Sequence, residues 1–221
     1  MVQPHAPARL DGRSERSRAT RSRIVAAASD LFVREGYSAT SIETLARAAG
    51  VGAQTVYYGF GTKKGVLAAC LGAAIGDEGL RAVPVLERPT VRATLAEPDP
   101  DLRLFRQVRA TADVLGRAAG LLDVARAAAA VDPDLAALWE DYDAERRVVL
   151  RALVGSLARE GSLRPGLAPV AATDAAAVVL GPETWSALVT QRGWRALEWA
   201  RWAHRQLAAE LLGRLPDDVR P

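Results

Sequence analysis

The residues best suited to a chemical task lie close together, in the stretch GVGAQTVYYGFGTKK at positions 50–64. Its two adjacent lysines are the only lysines of the chain, since the other 27 of the 29 basic residues are arginine. A glutamine amide can form a bidentate contact with adenine, and a threonine methyl group can meet a thymine methyl group. Tyrosine hydroxyls and lysine ammonium groups can bind phosphates. The residues of this stretch that could contact a nucleic acid are Gln54, Thr55, Tyr57, Tyr58, Lys63 and Lys64.

Residue patterns for catalysis are missing from the sequence. The single cysteine, Cys70, has no nearby histidine, because His5 and His204 lie near the two ends of the chain. There is no Gly-x-Ser-x-Gly elbow, no phosphate-binding loop and no paired spacing of metal ligands. We therefore expect no catalytic residues, no metal and no cofactor, and we do not expect an enzyme.

Charge is unevenly distributed along the 221 residues. Residues 1–64 hold ten basic and five acidic residues, a net charge of +5 in a chain whose total is +3. A basic N-terminal quarter on a mildly acidic remainder favours a module that binds a polyanion. One cysteine permits no intrachain disulfide, and no apolar run reaches the ~18 residues of a membrane span. These features predict a cytoplasmic location and no contact with a membrane.

The basic quarter of the sequence predicts three short helices. A first helix from about residue 19 to 35 has one apolar stripe and ends at Gly36, and residues 53–60 form a third helix that Gly61 closes. Between them, TSIE at 40–43 matches a capping box with Thr40 as the N-cap and Glu43 at the third helical position. Thr62 is expected to cap a fourth helix that starts at Lys63. Two short helices joined by a Gly-containing turn indicate a helix-turn-helix, although a generic three-helix bundle would show the same spacing.

Residues 20–67 resemble the DNA-binding region of the TetR family of transcriptional regulators. They contain that family's Arg-x-x-Ile, Ala-Ala, Leu-Phe, Gly-Tyr, Thr-Ser, Leu-Ala-x-x-Ala-Gly-Val, Tyr-x-x-Phe and Lys elements in register. Gly52, Gly59 and Lys64 depart from the family's usual Ser, His and Glu. A glycine N-cap is only a few tenths of a kcal/mol weaker than the polar caps. The departures therefore suggest an altered docking and leave the fold intact.

The resemblance implies a regulator, most often a repressor, that binds a palindromic operator as a homodimer and is released by a small lipophilic effector. It implies phosphate contacts for Tyr57, Tyr58 and Lys63, while packing for Tyr57 and a solvated position for Lys64 remain open. An arginine-rich arm at residues 1–17 is expected to be mobile, with or without a contact to DNA. The full set of expected DNA-binding residues is Thr40, Ser41, Ala53, Gln54, Thr55, Tyr57, Tyr58, Lys63 and Lys64.

The remaining sequence predicts a larger helical domain. Helices are expected near 63–80, 101–116, 118–130, 133–161, 169–191 and 194–213, with a proline-broken connection at 80–100. Residues 169–213 combine small residues with Trp194, Trp199 and Trp202, so they are expected to form a dimer interface of two helices from each subunit. Large or polar residues on apolar stripes are the candidates for an effector pocket: Phe105, Arg109, Trp139, Tyr142 and Trp185. The alternative is plain core packing for the aromatic residues and a surface ion pair with Asp113 for Arg109.

The predicted fold class is all-α. It comprises an arm at 1–17, a helix-turn-helix domain at 18–64, a ligand-binding and dimerisation domain at 65–214 and a tail at 215–221. Two other functions remain open from the sequence: a ligand-blind or architectural DNA-binding protein, and a helical small-molecule carrier.

Overall fold

A computed structural model describes residues 11–76 and 83–214, with side chains from residue 15 onward. All regular elements in these ranges are helical and none is a strand, which confirms the all-α prediction. The chain divides between Cys70 and Leu71 into two compact units. We call them the N-terminal unit and the C-terminal unit. This division falls six residues after the predicted domain boundary at residue 64.

The N-terminal unit consists of three helices and the start of a fourth. They are α1 (Asp11–Glu35), α2 (Ile42–Ala48), α3 (Ala53–Phe60) and the first part of α4 (Lys63–Ile75). Helix α1 packs on α2, and α2 packs on α3. Their shared core contains side chains that are 0–2% exposed, among them Ile24, Phe32, Leu45, Val56 and Leu67. The turns contain glycines at positive φ, namely Gly36 (80°), Gly50 (63°) and Gly61 (73°). Glycine is suited to these positions because residues with a Cβ rarely adopt that conformation.

The N-terminal boundary of the first helix was predicted wrongly. Helix α1 begins at Asp11, so residues 11–17 are helical where the sequence suggested a mobile arm. Residues 1–10 of the proposed arm lie outside the described residues, and so does the proposed tail from 215 onward. The error has a physical basis, because arginine and serine between residues 13 and 18 leave no apolar stripe to mark the helix.

The predicted capping box of α2 is displaced by one residue. Ser41 is the N-cap, and its Oγ accepts a hydrogen bond of 3.1 Å from the backbone N–H of Thr44. Thr40 is 1% exposed, and its hydroxyl donates instead to the carbonyl oxygen of Gly36 at 2.8 Å. Thr40 therefore stabilises the α1–α2 turn. Thr40 and Ser41 both carry a hydroxyl group that can cap a helix, so the sequence allowed either residue as the N-cap.

The C-terminal unit contains the end of α4 and the later helices. These are a 3₁₀ turn at Val85–Glu87, α5 (Pro89–Leu95), α6 (Pro100–Ala129), α7 (Pro133–Arg159), α8 (Pro169–Val179), α9 (Pro182–Trp185) and α10 (Ala196–Leu212). Helix α6 packs against α7 and α10, and α8 packs against α7 and α10. The core of the unit lies among these helices and includes Leu104, Leu122, Leu153, Trp199 and Leu207, all 0% exposed.

Two predicted helix boundaries in this unit are wrong. Helix α6 is continuous where two helices were expected, since buried Leu115, Ala118 and Leu122 hold it together across Gly116 and Gly120. A glycine in a helix interior costs only about 1 kcal/mol, which this burial exceeds.

The helix predicted over 169–191 is interrupted. Helix α8 ends at Val179, Pro182 begins α9, and a π-helical segment follows at Ser186–Thr190. Proline lacks an N–H and cannot continue the preceding helix. The predicted broken connection contains α5 among its described residues.

Candidate nucleic-acid interface and candidate ligand cavity

Helix α3 is short and is held by one buried anchor. Gly52 precedes it without a side-chain cap, and Gly61 ends it by donating its N–H to the carbonyl of Tyr57. Val56 is 0% exposed and fixes the inner face. Phe60, one turn later, is half-buried. With its inner face fixed, α3 directs the remaining side chains outward.

The outer face of α3 carries the side chains expected to meet DNA. Gln54 and Thr55 are exposed, Tyr58 is 94% exposed, and Tyr57 is 45% exposed. Ala53 is half-buried. A tyrosine ring that is almost fully in solvent beside a glutamine and a threonine forms a surface with both apolar and hydrogen-bonding groups.

Arg21 holds the C-terminal end of α3, a contact that the sequence analysis missed. Its guanidinium donates to the carbonyl oxygen of Gly59 at 2.9 Å, and its Cζ lies 4.3 Å from the centroid of the Phe60 ring. A cation near a helix C-terminus also interacts favourably with the negative end of the helix dipole and with a nearby aromatic ring. The available signal was the Arg-x-x-Ile motif, whose first residue is Arg21.

Lys63 is bonded to the turn between α1 and α2. Its Nζ donates to the carbonyl oxygens of Tyr37 and Thr40, both at 2.9 Å, and lies 4.2 Å from the centroid of the Tyr37 ring. Two of its three ammonium hydrogens are thereby used within the protein. The structure assigns Lys63 a positioning role that the sequence did not predict.

The other expected DNA contacts are placed less uniformly. Ser41 and Lys64 are half-buried, and the hydroxyl of Ser41 is used in capping α2. The side chain of Thr40 is buried and its hydroxyl is bonded to Gly36, so its contact with DNA stays a prediction that no exposed side chain supports. The exposed set that remains is centred on α3.

Cys70 lies in the core at the end of the N-terminal unit. It is 0% exposed, and its thiol donates to the carbonyl oxygen of Val25 at 3.5 Å. Desolvation by burial raises the pKa of this thiol to about 11. The group is therefore neutral and unsuited to nucleophilic chemistry near neutral pH.

The C-terminal unit contains a cavity of about 970 Å³. Its walls come from α4 (Leu71, Gly72, Ile75), the segment 85–94, α6, α7 and Leu180. A volume of this size suits a drug-sized or metabolite-sized molecule. The apolar lining is supplemented by polar groups that can orient a ligand, namely Arg88, Gln107, Thr111, Tyr142 and Arg146.

Of the five residues predicted for an effector pocket, only Tyr142 lines this cavity. Trp185 is 5% exposed and packs on Trp199 with 5.1 Å between ring centroids. Phe105 packs on His204 at 5.2 Å, and Arg109 is exposed. Trp139 is outside the lining and lies 5.6 Å from the Tyr142 ring. The sequence could identify large residues on apolar stripes but could not distinguish packing from a cavity wall.

Burial raises the pKa of Tyr142 to about 12, so this residue presents a neutral phenol to the cavity. The polar lining residues that the sequence analysis missed come from the segment 85–94, α6 and α7. For those on α6 and α7, the only sequence signal was a polar residue within an apolar stripe.

The described residues contain no group of histidine, cysteine, aspartate or glutamate that could hold a metal ion. Among the helices of the same residues, none is long and apolar enough to cross a membrane. Two valines of α8 are exposed, Val170 at 74% and Val178 at 69%. Trp199 is 0% exposed, so it cannot add area to a dimer face as the sequence suggested.

The fold and the exposed face of α3 define a helix-turn-helix protein with a larger helical C-terminal unit. Residues 24–70 match the family model for bacterial regulatory proteins of the tetR family. The resemblance predicted from the sequence is thereby confirmed, and the chain has the fold of TetR-family transcriptional regulators. Comparison with curated proteins finds no match.

Solved structures with this fold include three bacterial regulators. NalD of Pseudomonas aeruginosa, the secondary repressor of the MexAB-OprM multidrug efflux pump, is 23% identical, with a TM-score of 0.67 over 90% of this chain and 98% of its own. A transcriptional regulator of Saccharomonospora viridis in complex with choline is 18% identical, with a TM-score of 0.69 over 89% and 100%. FadR of Bacillus subtilis in complex with stearoyl-CoA is 16% identical, with a TM-score of 0.65 over 84% and 96%.

Proposed function

We propose that this protein is a ligand-responsive transcriptional regulator that binds a palindromic operator as a homodimer and represses until a small effector releases it. The observation that carries the proposal is the outer face of α3, where Gln54, Thr55 and Tyr58 are exposed on a helix that Val56 anchors. In helix-turn-helix proteins the second helix of the pair enters the major groove.

Each exposed side chain of α3 is assigned one task in the proposal. Gln54 reads adenine through its amide, and Thr55 meets a thymine methyl group. Tyr57 and Tyr58 bind phosphates and fix the register on the duplex. Arg21 and Lys63 hold the two ends of the reading unit in place, through Gly59 and through the α1–α2 turn respectively. Lys64 and Ser41 are assigned to phosphate contacts at the edge of the surface.

A homodimer is proposed because one recognition helix reads only half a site. Two-fold symmetry sets recognition helices about 34–36 Å apart, one turn of the duplex. We place the dimer interface in α8 and α10, within residues 169–213, where Val170 and Val178 expose apolar area. Exposed apolar residues on one helix face often mark a protein–protein contact.

The effector is proposed to bind the cavity of the C-terminal unit. Leu71, Gly72 and Ile75 of that cavity belong to α4, the helix that starts at Lys63 in the N-terminal unit. Movement of α4 on binding would change the separation of the recognition helices. Complexes of two similar folds with choline and with stearoyl-CoA support ligand binding as a use of this fold. Coupling of about 1–3 kcal/mol would be typical and must be reciprocal.

Footprinting on a library of short palindromes tests the proposal. A protected site with two half-sites about 10 base pairs apart is expected. Protection without half-site spacing would favour an architectural protein. The absence of any footprint would favour a small-molecule carrier. The cavity favours the regulator over a ligand-blind DNA-binding protein, and operator release by a cavity ligand distinguishes the two.

A further inference from the structure

The charged residues of the cavity lining differ in burial. Seven charged side chains contribute to it, and five of them are exposed: Asp113, Arg117, Asp141, Glu145 and Arg151. The two that are not exposed are both arginines. The side chain of Arg88 is 12% exposed and that of Arg146 is 17% exposed. The charged side chains of the lining that water screens least are therefore both cationic.

Arg146 has an unused donor. One of its terminal nitrogens donates to the carbonyl of Ala177 and the other to Asp143, both at 2.7 Å. Its Nε is buried and has no hydrogen-bond partner among the described residues. A buried donor without a partner is uncommon and destabilising, so its presence on a cavity wall indicates a missing acceptor.

Arg88 is bonded to a carboxylate that is easily displaced. Its two terminal nitrogens lie 3.1 Å and 3.4 Å from the two oxygens of Glu145. The side chain of Glu145 is 53% exposed, so it can turn into solvent at little desolvation cost. The guanidinium fork can donate two hydrogen bonds to any carboxylate of matching geometry. Arg88 therefore already has the geometry to bind the carboxylate of a ligand in place of Glu145.

The remainder of the lining is largely apolar. Leu71, Val114, Leu138, Leu150 and Leu180 contribute hydrocarbon surface, and Tyr142, Gln107 and Thr111 add neutral polar groups. A fully polar anion would leave that hydrocarbon surface without a partner. The lining thus suits a molecule with an apolar body and one anionic end.

We propose that the effector is an amphipathic carboxylate whose anionic end binds Arg88 and Arg146 and whose lipophilic body fills the apolar part of the cavity. The inference rests on the proposed function, in which this cavity is the effector site. It specifies the chemical class of the effector. Cationic and neutral molecules of the same length are expected to bind with lower affinity.

Three probes of one chain length test the proposal on the full-length protein: decanoate, decanol and decyltrimethylammonium. Isothermal titration should give an affinity for decanoate at least 10-fold higher than for the other two. Equal or tighter binding of decanol or of the cation would overturn the inference, as would failure of decanoate to bind.

Substitutions locate the anionic end of the ligand. Glu145→Gln removes the competing carboxylate and should raise decanoate affinity severalfold, with no change for decanol. Arg146→Met should lower decanoate affinity at least 10-fold. Arg159→Met, on the same helix but exposed and outside the cavity lining, is the matched control and should change decanoate affinity less than 2-fold. Should Arg146→Met fail to fold, Glu145→Gln still decides, because unchanged decanoate affinity in that variant would contradict exchange at Arg88.

An operator-binding assay separates this inference from the proposed function. If decanol binds as tightly as decanoate and releases the operator, the proposed regulatory function stands and the preference for an anionic effector is overturned. Tight decanoate binding without any change in operator affinity would support the preference for an anionic ligand and contradict the proposed release of the operator by the effector.

Discussion

The ammonium group of Lys63 donates to the backbone carbonyl of Tyr37 at 2.9 Å and also lies 4.2 Å from the centroid of the Tyr37 ring. One cation thus holds both the backbone and the side chain of a residue 26 positions earlier. Because Thr40 offers a second carbonyl to the same group, the first residue of α4 is joined to the turn that precedes α2.

Lys63→Ala should lower the free energy of unfolding by about 1–3 kcal/mol, since hydrogen bonds to charged groups are worth more than neutral ones. Chemical denaturation checks this, with Arg47→Ala as the control because Arg47 is exposed on the neighbouring helix. DNA binding should weaken equally for all sequences. Unchanged stability together with a salt slope lowered by about 1 would instead identify Lys63 as a phosphate contact alone.

Gly65→Ala should destabilise the protein by about 1–3 kcal/mol. A Cβ at this position would overlap the backbone carbonyl of Phe60, and backbone cannot move as cheaply as a flexible side chain. Gly59→Ala is the matched control, because a Cβ there meets nothing within 4 Å. In that helix the change should stabilise by about 0.5–1 kcal/mol. Thermal unfolding that ranks the two variants in the opposite order would contradict this packing.

Gln54→Ala and Thr55→Ala should relax base preference. Loss of a bidentate base contact costs about 1–3 kcal/mol at the matching base pair and little elsewhere. Selection of binding sites from a randomised duplex measures the change, and both residues are exposed, so folding should be unaffected. An unaltered preferred sequence in both variants would show that other residues read the bases.

Val178→Glu should dissociate the proposed homodimer. Val178 is 69% exposed on α8, so a carboxylate is tolerated in the monomer and is costly only when an apolar partner covers it. Val131→Glu is the control, since Val131 is 79% exposed and lies outside residues 169–213. Sedimentation at micromolar concentration is the measurement. A wild-type species of 23.5 kDa would contradict the dimer altogether.

Stability should fall at alkaline pH. Burial raises the pKa of Cys70 from 9.0 to about 11, so the folded state holds a proton that the unfolded state releases. The stabilisation is complete below pH 9 and is lost as pH rises towards 11. Denaturation of the wild type and of Cys70→Ala at several pH values should show a smaller decline over this range in the variant. Equal declines would mean that the thiol does not contribute.

The sequence determined the helical class, the helix-turn-helix and the identity of the residues on the outer face of α3. These are local properties. Gly36 and Gly61 end helices by their own conformational freedom, and the spacing of Val56 and Phe60 fixes which face of α3 turns inward. The family motif lies in the same stretch, which is why the fold could be predicted from about a fifth of the chain.

Only the tertiary structure decided which polar groups find partners and which aromatics enclose a cavity. Lys63 lies 26 residues from Tyr37, and Arg21 lies 38 residues from Gly59, so neither bond has a local signature. Trp185 and Tyr142 both lie on apolar stripes, yet the first packs on Trp199 in the core and the second lines the cavity. A stripe shows that a side chain turns inward, whereas the packing of distant helices decides whether it meets another side chain or an open space.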